Sequence, residues 1–288
     1  MNAPLDRRLN AYRDDLADRR LEGRVAAPRF AEGTPARVVA PVVDLRQAPR
    51  GDAMTDTQAL FGEAVRVFER DGEGWAWVQL EADGYVGYIA AEALGDAGAA
   101  PTHRVAALRS FRYPAAELKM PPLDALSVGS LVSVADTVEN RDTGYAVLAD
   151  GTAMIARHLR PLGENATDWV EEATAFLNTP YLWAGRSGFG IDCSGLVQLP
   201  LTMAGRAVLR DTDMQAETVG SVLTREWREA ALRRGDLVFW KGHVAIMLDG
   251  DSALHASGYT MSVTVEPLAE AVERIARRHG QPTLVRRL

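Results

Sequence analysis

The sequence predicts a multidomain chain in which two small all-β barrels precede one α+β domain. Three observations lead to this. Between Val38 and Leu162 short apolar runs alternate with turn residues. That stretch repeats itself. From Asp168 onward the apolar spacing becomes helical, interleaved with strand-like runs. The boundaries read as an N-terminal segment over 1–30, barrels over 31–97 and 98–162, and an α+β domain over 163–288.

In the first segment Leu5, Leu9, Tyr12 and Leu16 recur at helical spacing, so part of it is expected to be an amphipathic helix docked on the body. The barrel strands are expected at Val65 to Phe68, Trp75 to Leu80, Tyr85 to Ala90, Leu131 to Val134 and Tyr145 to Leu148. Asp71-Gly72, Asp83-Gly84 and Asp150-Gly151 are hairpin signals, because tight turns need residues that tolerate positive φ. The repeat aligns Gly62 to Val67 with Gly129 to Val134, Gly74-Trp75-Ala76 with Gly144-Tyr145-Ala146, and Ile89-Ala90 with Ile155-Ala156. These offsets are 67, 70 and 66 residues. Gly95 to Pro101 reads as the linker between copies.

Downstream, Trp169, Ala173, Phe176 and Leu177 share a helical face that Pro180 closes, and a second helix starts near Cys193. Strands are expected at Asp236 to Trp240, His243 to Leu248 and Ser252 to Ala256. A helix follows from about Leu268 to Arg278, and Thr283 to Val285 returns to the sheet. Pro200 lacks an N–H and should kink the second helix near Leu196 to Leu199.

A net charge of -7 argues against a nucleic-acid partner, which calls for a basic surface. The first twenty residues mix acids and bases with no apolar core behind them, so no secretory leader is expected. No apolar run is long enough to span a bilayer, so no membrane partner is expected. A single cysteine makes no internal disulfide and suits a reducing compartment, so the expected location is cytoplasmic. His103, His158 and His279 show no metal-ligand spacing, and neither a metal nor another cofactor is expected.

The chemistry concentrates in Gly190-Ile-Asp192-Cys193-Ser194-Gly195-Leu196-Val197-Gln198. A thiol attacks only as thiolate, and at a free pKa of about 8.5 little is present at neutral pH. A helix start helps, since unpaired N–H groups favour negative charge there, and Asp192 is a good N-cap. The thiol is therefore expected to titrate below the free value. A thiolate also needs a base, and His243 lies in a strand that Asp249-Gly250 turns back into Ser252-Ala253-Leu254-His255-Ala256. A hairpin centred on Asp249 pairs His243 directly with His255; a neighbouring register shifts this by one or two residues, and only the direct pairing is expected to put both imidazoles on one face. His255 then holds His243 in the tautomer that takes the thiol proton.

Asp192-Cys193-Ser194-Gly195, Arg234 to Trp240, Gly242-His243-Val244 and Leu254-His255-Ala256 together resemble the NlpC-type cell-wall peptidase family, papain-like cysteine peptidases of bacterial peptidoglycan peptides. The barrels resemble bacterial SH3-like domains. The whole arrangement is similar to the dipeptidyl-peptidase VI type of γ-D-glutamyl-L-diamino-acid endopeptidase, used in recycling muropeptides.

That resemblance implies Cys193 as nucleophile, His243 as base and His255 as third member. It implies Tyr181 near the oxyanion, Trp183 as a wall of the substrate cleft, Asp192 and Ser194 on the amine and D-Glu of the peptide, and Thr212 on a neighbouring loop. In the recycling subgroup an acid and a tyrosine of the first barrel close one end of the cleft, which implies Glu63 and Tyr85, with Tyr88 competing. Ala184 stands where many relatives have glycine. The implied substrate is an L-Ala-γ-D-Glu-diamino-acid peptide with a free amino terminus.

Two other classes compete: a non-catalytic wall-binding module, disfavoured because all three reactive residues are present, and an acyltransferase on a related fold, which usually carries a membrane anchor. A general wall hydrolase is the alternative within the enzyme class.

Overall fold

The computed structural model describes residues 5–288. They form two compact units, one ending at Glu164 and one spanning Asn165–Leu288.

In the first unit the expected N-terminal amphipathic helix does not form; Met1 to Pro4 lie outside the described residues. Leu16–Asp18 is a strand, paired in parallel with Arg29–Ala31, and only the 3-10 turn Arg19–Leu21 is helical. The aspartates explain this. The Asp6 carboxylate accepts the Arg8 N–H, a local bond that competes with helix, and that of Asp18 accepts the Arg20 N–H, starting the 3-10 turn only after the strand. Leu16 and Ala11 still bury their apolar surface, packing with Phe68 and Trp77. Arg13 lies over the Trp77 ring, 4.5 Å from its centroid. The helical spacing was thus a docking pattern for an extended segment.

The next strands form a seven-stranded sheet in the order Thr55–Leu60, Val42–Arg46, Val86–Ala90, Trp75–Leu80, Ala64–Arg70, Thr34–Val38, Leu94–Gly95. Alternate residues of these strands (Val65, Val67, Val78, Leu80, Ile89) point into one core with Leu45 and Tyr85. Residues 103–161 form a five-stranded and a three-stranded sheet around Val105, Leu126, Val132, Leu148 and Met154. The repeated stretches take the same course. Trp75–Leu80 pairs with Val86–Ala90, then come the 3-10 turn Ala91–Ala93 and the strand Leu94–Gly95. Thr143–Leu148 pairs with Ala153–Ile155, then come Ala156–His158 and Leu159–Pro161.

The two sets of sheets are joined closely. The Leu131 N–H donates to the Phe61 carbonyl at 2.8 Å, and Phe61 packs against the second core. Gly62 has φ of 80°, and a Cβ there would stand 2.0 Å from the Leu131 carbonyl oxygen. Only glycine fits.

The second unit is an antiparallel sheet ordered Ser221–Thr224, Leu284–Arg287, Leu237–Trp240, His243–Met247, Ser252–Ser257, Ser262–Pro267. Helices α1 (Trp169–Thr174), α2 (Cys193–Met203), α3 (Thr212–Thr218) and α4 (Leu268–His279) surround it. In α4, Leu268, Ala271, Val272 and Ile275 recur at helical spacing and pack on Val238, Trp240, Ala245, Met247 and Ala253. Helix α2 is almost wholly buried and lies against the two central hairpin strands. It runs on through Pro200 to Met203, past the position of the expected kink.

Candidate active site

Helix α2 begins at Cys193 because Asp192 ends the preceding extended chain and caps it: its Oδ1 accepts the Gly195 N–H at 2.7 Å. Cys193 is buried, and its sulfur accepts the Val244 N–H. The Thr212 hydroxyl, at the start of α3, lies 3.9 Å from that sulfur. Cys193, His243, His255, Tyr181 and Trp183 line one cavity of about 520 Å³.

The two histidines come from the hairpin that the sequence places, but in another register. Ile246 pairs with Leu254 and Met247 with Ala253, which displaces the pairing by two residues from the one centred on Asp249. His243 and His255 are therefore diagonal neighbours instead of a direct pair. Because side chains alternate with period two, a shift of two keeps both rings on one face, whereas a shift of one would separate them. His243 Nε2 and His255 Nδ1 lie 2.8 Å apart, with the rings steeply inclined at 72°. Behind them, His255 Nε2 meets Glu266 Oε1 at 2.6 Å, and Glu266 also pairs with Arg274 of α4. His255 is buried.

The electrostatics depart from the expectation for a helix start. Burial, with the charge of Asp192 adding to it, pushes the Cys193 thiol up to about 11, against the bonds from Val244 and Thr212 and the charge of Arg210. Desolvation outweighs the helix terminus. Burial, then the charges of His255, His279 and Arg274, push His243 down to about 3. With no substrate bound, the pair rests as neutral thiol and neutral imidazole at pH 7. Tyr181 is raised in turn, first by burial and then by Cys193 and Asp192, so its phenol keeps its proton and stays a donor.

Asp192 faces a partner that sequence reasoning missed. Arg210 is buried and reaches both its oxygens, Nη1 to Oδ1 at 3.0 Å and Nη2 to Oδ2 at 2.7 Å. Nη1 also donates to the Ser194 hydroxyl at 2.7 Å. Any role of Asp192 or Ser194 towards a substrate is thus additional to this cap and ion pair. Arg210→Ala leaves a buried carboxylate uncompensated and should cost about 3–5 kcal/mol of stability in urea titrations. Pairing it with Asp192→Asn should recover much of that loss. Equal stability of single and double variants would show the pair to be uncoupled.

The turn that carries Tyr181 and Trp183 reaches the helix through Ala184, whose φ of 61° is left-handed. An L side chain costs about 1–2 kcal/mol in this region, which favours glycine there. Trp183 is 70% exposed on the cavity wall. Thr212 is buried beside the thiol. Glu63 and Tyr85 belong to the first unit. Glu63 is buried in the loop before Ala64–Arg70 and accepts the Leu60 N–H at 2.9 Å, and Tyr85 sits in the core of the seven-stranded sheet. The competing Tyr88 is half-buried and bonded to Arg13.

Glu266 and Arg274 were also missed. The signal was present: His255 pairs with Thr264 on Ser262–Pro267, so Glu266, two residues on, shares its face.

Compared with known proteins, residues 178–276 match the NlpC/P60 family, and residues 45–94 match the bacterial dipeptidyl-peptidase Sh3 domain. The chain is 28% identical over 252 residues to dipeptidyl-peptidase 6 of Lysinibacillus sphaericus, covering 81% of this chain and 91% of that one. It is 27% identical over 249 residues to the γ-D-glutamyl-L-lysine dipeptidyl-peptidase of Bacillus subtilis, covering 77% and 78%. A crystal structure of an NlpC/P60 family protein from Bacillus cereus shares the fold, with a TM-score of 0.71 at 22% identity over 88% of this chain and 99% of that one.

Proposed function

We propose, from the matches of residues 178–276 to the NlpC/P60 family and of residues 45–94 to the bacterial dipeptidyl-peptidase Sh3 domain, that this chain is a cysteine peptidase that cuts the γ-D-glutamyl to diamino-acid bond of free muropeptides. One observation carries the chemistry: a thiol at a helix start shares a cavity with a histidine whose far nitrogen is held by a second histidine. Cys193 Sγ attacks the γ-carbonyl of D-Glu while His243 takes the thiol proton. Tyr181 and the first N–H groups of α2 donate to the oxygen that becomes negative. His243 then returns the proton to the departing amine of the diamino acid. Water enters, gives a proton to His243 and attacks the thioester; the dipeptide carboxyl forms and the thiol recovers its proton.

Substrate charge fits the cavity rim. Arg274, Arg277, Arg278 and His279 line it, and the lining residues include no carboxylate. Stem peptides carry several carboxylates, which such a rim favours. Similarity along most of the chain to two relatives named dipeptidyl-peptidases supports release of an amino-terminal dipeptide, and we assign that activity to muropeptide recycling in the cytoplasm, where a lone free cysteine suits the reducing milieu. In this reading residues 98–162 are a second SH3-like barrel, in keeping with their matching course of hairpin, 3-10 turn and strand.

The test is release of the diamino acid from L-Ala-γ-D-Glu-diaminopimelate. With Asp192, next to the nucleophile, as the proposed partner of the free amine, the free peptide should be cut and its N-acetylated form should be at least about a hundredfold poorer in kcat/KM, the scale of a lost buried charge pairing. Equal rates on both would make the protein a general wall hydrolase. No cleavage of either would leave a binding module.

A further inference from the structure

We propose that Glu266 is a positioning residue that fixes the tautomer of both histidines and so selects Nδ1 of His243 as the atom that takes the thiol proton. The role given to that proton rests on the peptidase reading; the tautomers do not. An ionised carboxylate has no proton to give. Glu266 Oε1 lies 2.6 Å from His255 Nε2, so that nitrogen must carry the hydrogen. With one proton per ring, His255 Nδ1 is then bare and accepts. Its partner at 2.8 Å, His243 Nε2, must donate, which leaves the lone pair of His243 on Nδ1. Three groups in a row admit one proton arrangement.

The surroundings hold Glu266 to this part. Its bonds and charge pairing with His255 and Arg274 outweigh partial burial and keep its carboxyl below the ordinary glutamate value. Arg274 donates from Nη2 to the same oxygen, Oε1, that meets His255. An amide at 266 would therefore turn its oxygen, not its nitrogen, towards the histidine. His255, at 1% side-chain exposure, has no solvent competing for either nitrogen. Without an acceptor at 266, His255 is free to place its proton on Nδ1. His243 would then accept at Nε2 and turn an N–H towards the cavity that holds Cys193. That is the wrong tautomer for a base.

The deciding measurement is a long-range 1H–15N spectrum of full-length protein labelled with 15N-histidine, recorded at pH 8. Both His243 and His255 should be protonated at Nε2 and bare at Nδ1. A His255 protonated at Nδ1, alone or together with Nε2, overturns the proposal. This readout is taken on the unaltered chain and needs no turnover, so it stands even if the peptidase reading fails. The variants supply the second arm. Glu266→Gln should keep both tautomers and hold kcat within about threefold, whereas Glu266→Leu should move the His243 proton to Nδ1. The Leu variant should lower kcat about 10- to 100-fold, the range for an outer partner that orients a working group, with KM little changed. A Leu variant that keeps the original tautomers, or a Gln variant that loses as much as Leu, would reduce Glu266 to a packing role.

Discussion

Cys193→Ala is expected to end peptide hydrolysis, with kcat falling at least about 10⁴-fold while the protein stays folded. The reasoning is one of necessity. The remaining hydroxyls near the attack site, on Thr212, Tyr181, Ser257 and Tyr259, are far weaker nucleophiles than a thiol at neutral pH, and His243 is already used as the base. Residual catalysis could come only from binding and from donors to the oxyanion, which is how triad enzymes behave once the nucleophile is gone. Cys193→Ser should be nearly as poor, because the hydroxyl is far less acidic than the thiol. The side chain is small and its bonds are weak ones through sulfur, so the stability change should stay within about 1 kcal/mol. The measurement is diamino-acid release, with thermal unfolding of the same preparations. Turnover by the alanine variant would end the cysteine-peptidase reading.

The second large effect is expected at His243. His243→Ala should lower kcat by about 10³-fold or more, since the thiol then has no base to take its proton. The pH behaviour says more than the rate. With the thiol raised to about 11 and the imidazole lowered to about 3, the resting pair is neutral between those limits. Thiolate absorbance near 240 nm should be small at pH 7 and grow only as pH approaches 11. A full band at pH 7 that disappears in His243→Ala would show a resting thiolate–imidazolium pair instead. Stability should follow the same shifts. Below pH 6.5 the unfolded chain binds a proton at His243 that the folded one does not, so stability falls as pH drops from 6.5 towards 3. Above pH 9.0 the unfolded chain releases the Cys193 proton first, so stability falls again towards 11. His243→Asn should flatten the acid limb only.

The reactive core of the site was legible because its signals are local. A capping aspartate, a cysteine at a helix start, and two histidines either side of an Asp-Gly turn are all read from neighbours in sequence. The hairpin register was misjudged because the turn fixes it, and the Leu248 N–H to Ser252 carbonyl bond moves the centre of the loop by one residue. What stayed hidden are partners that stand in no recognisable motif: Arg210, which meets Asp192 from a loop, and Arg274, which meets Glu266 from α4. The thiol was misjudged for a related reason. A sequence shows the helix dipole but not how deeply the cleft is buried. The N-terminal helix failed because apolar spacing does not tell a helix from an extended segment stapled by its own aspartates.

The contact between Gly62 and the Leu131 carbonyl bears on how such chains are inherited. Tandem modules are commonly exchanged between proteins like beads on a string, each carrying its own complete surface. Here the joint is built from backbone. The first module supplies the Phe61 carbonyl and a position without a side chain, and the second answers with the Leu131 N–H. Transplanted alone, the first would expose Phe61, and the second would leave an apolar socket open. The pair is therefore one evolutionary currency: a recombination break between Gly95 and Pro101 should be harmful, whereas a lengthened linker at the same place should be tolerated. The seam makes the two sets of sheets inseparable.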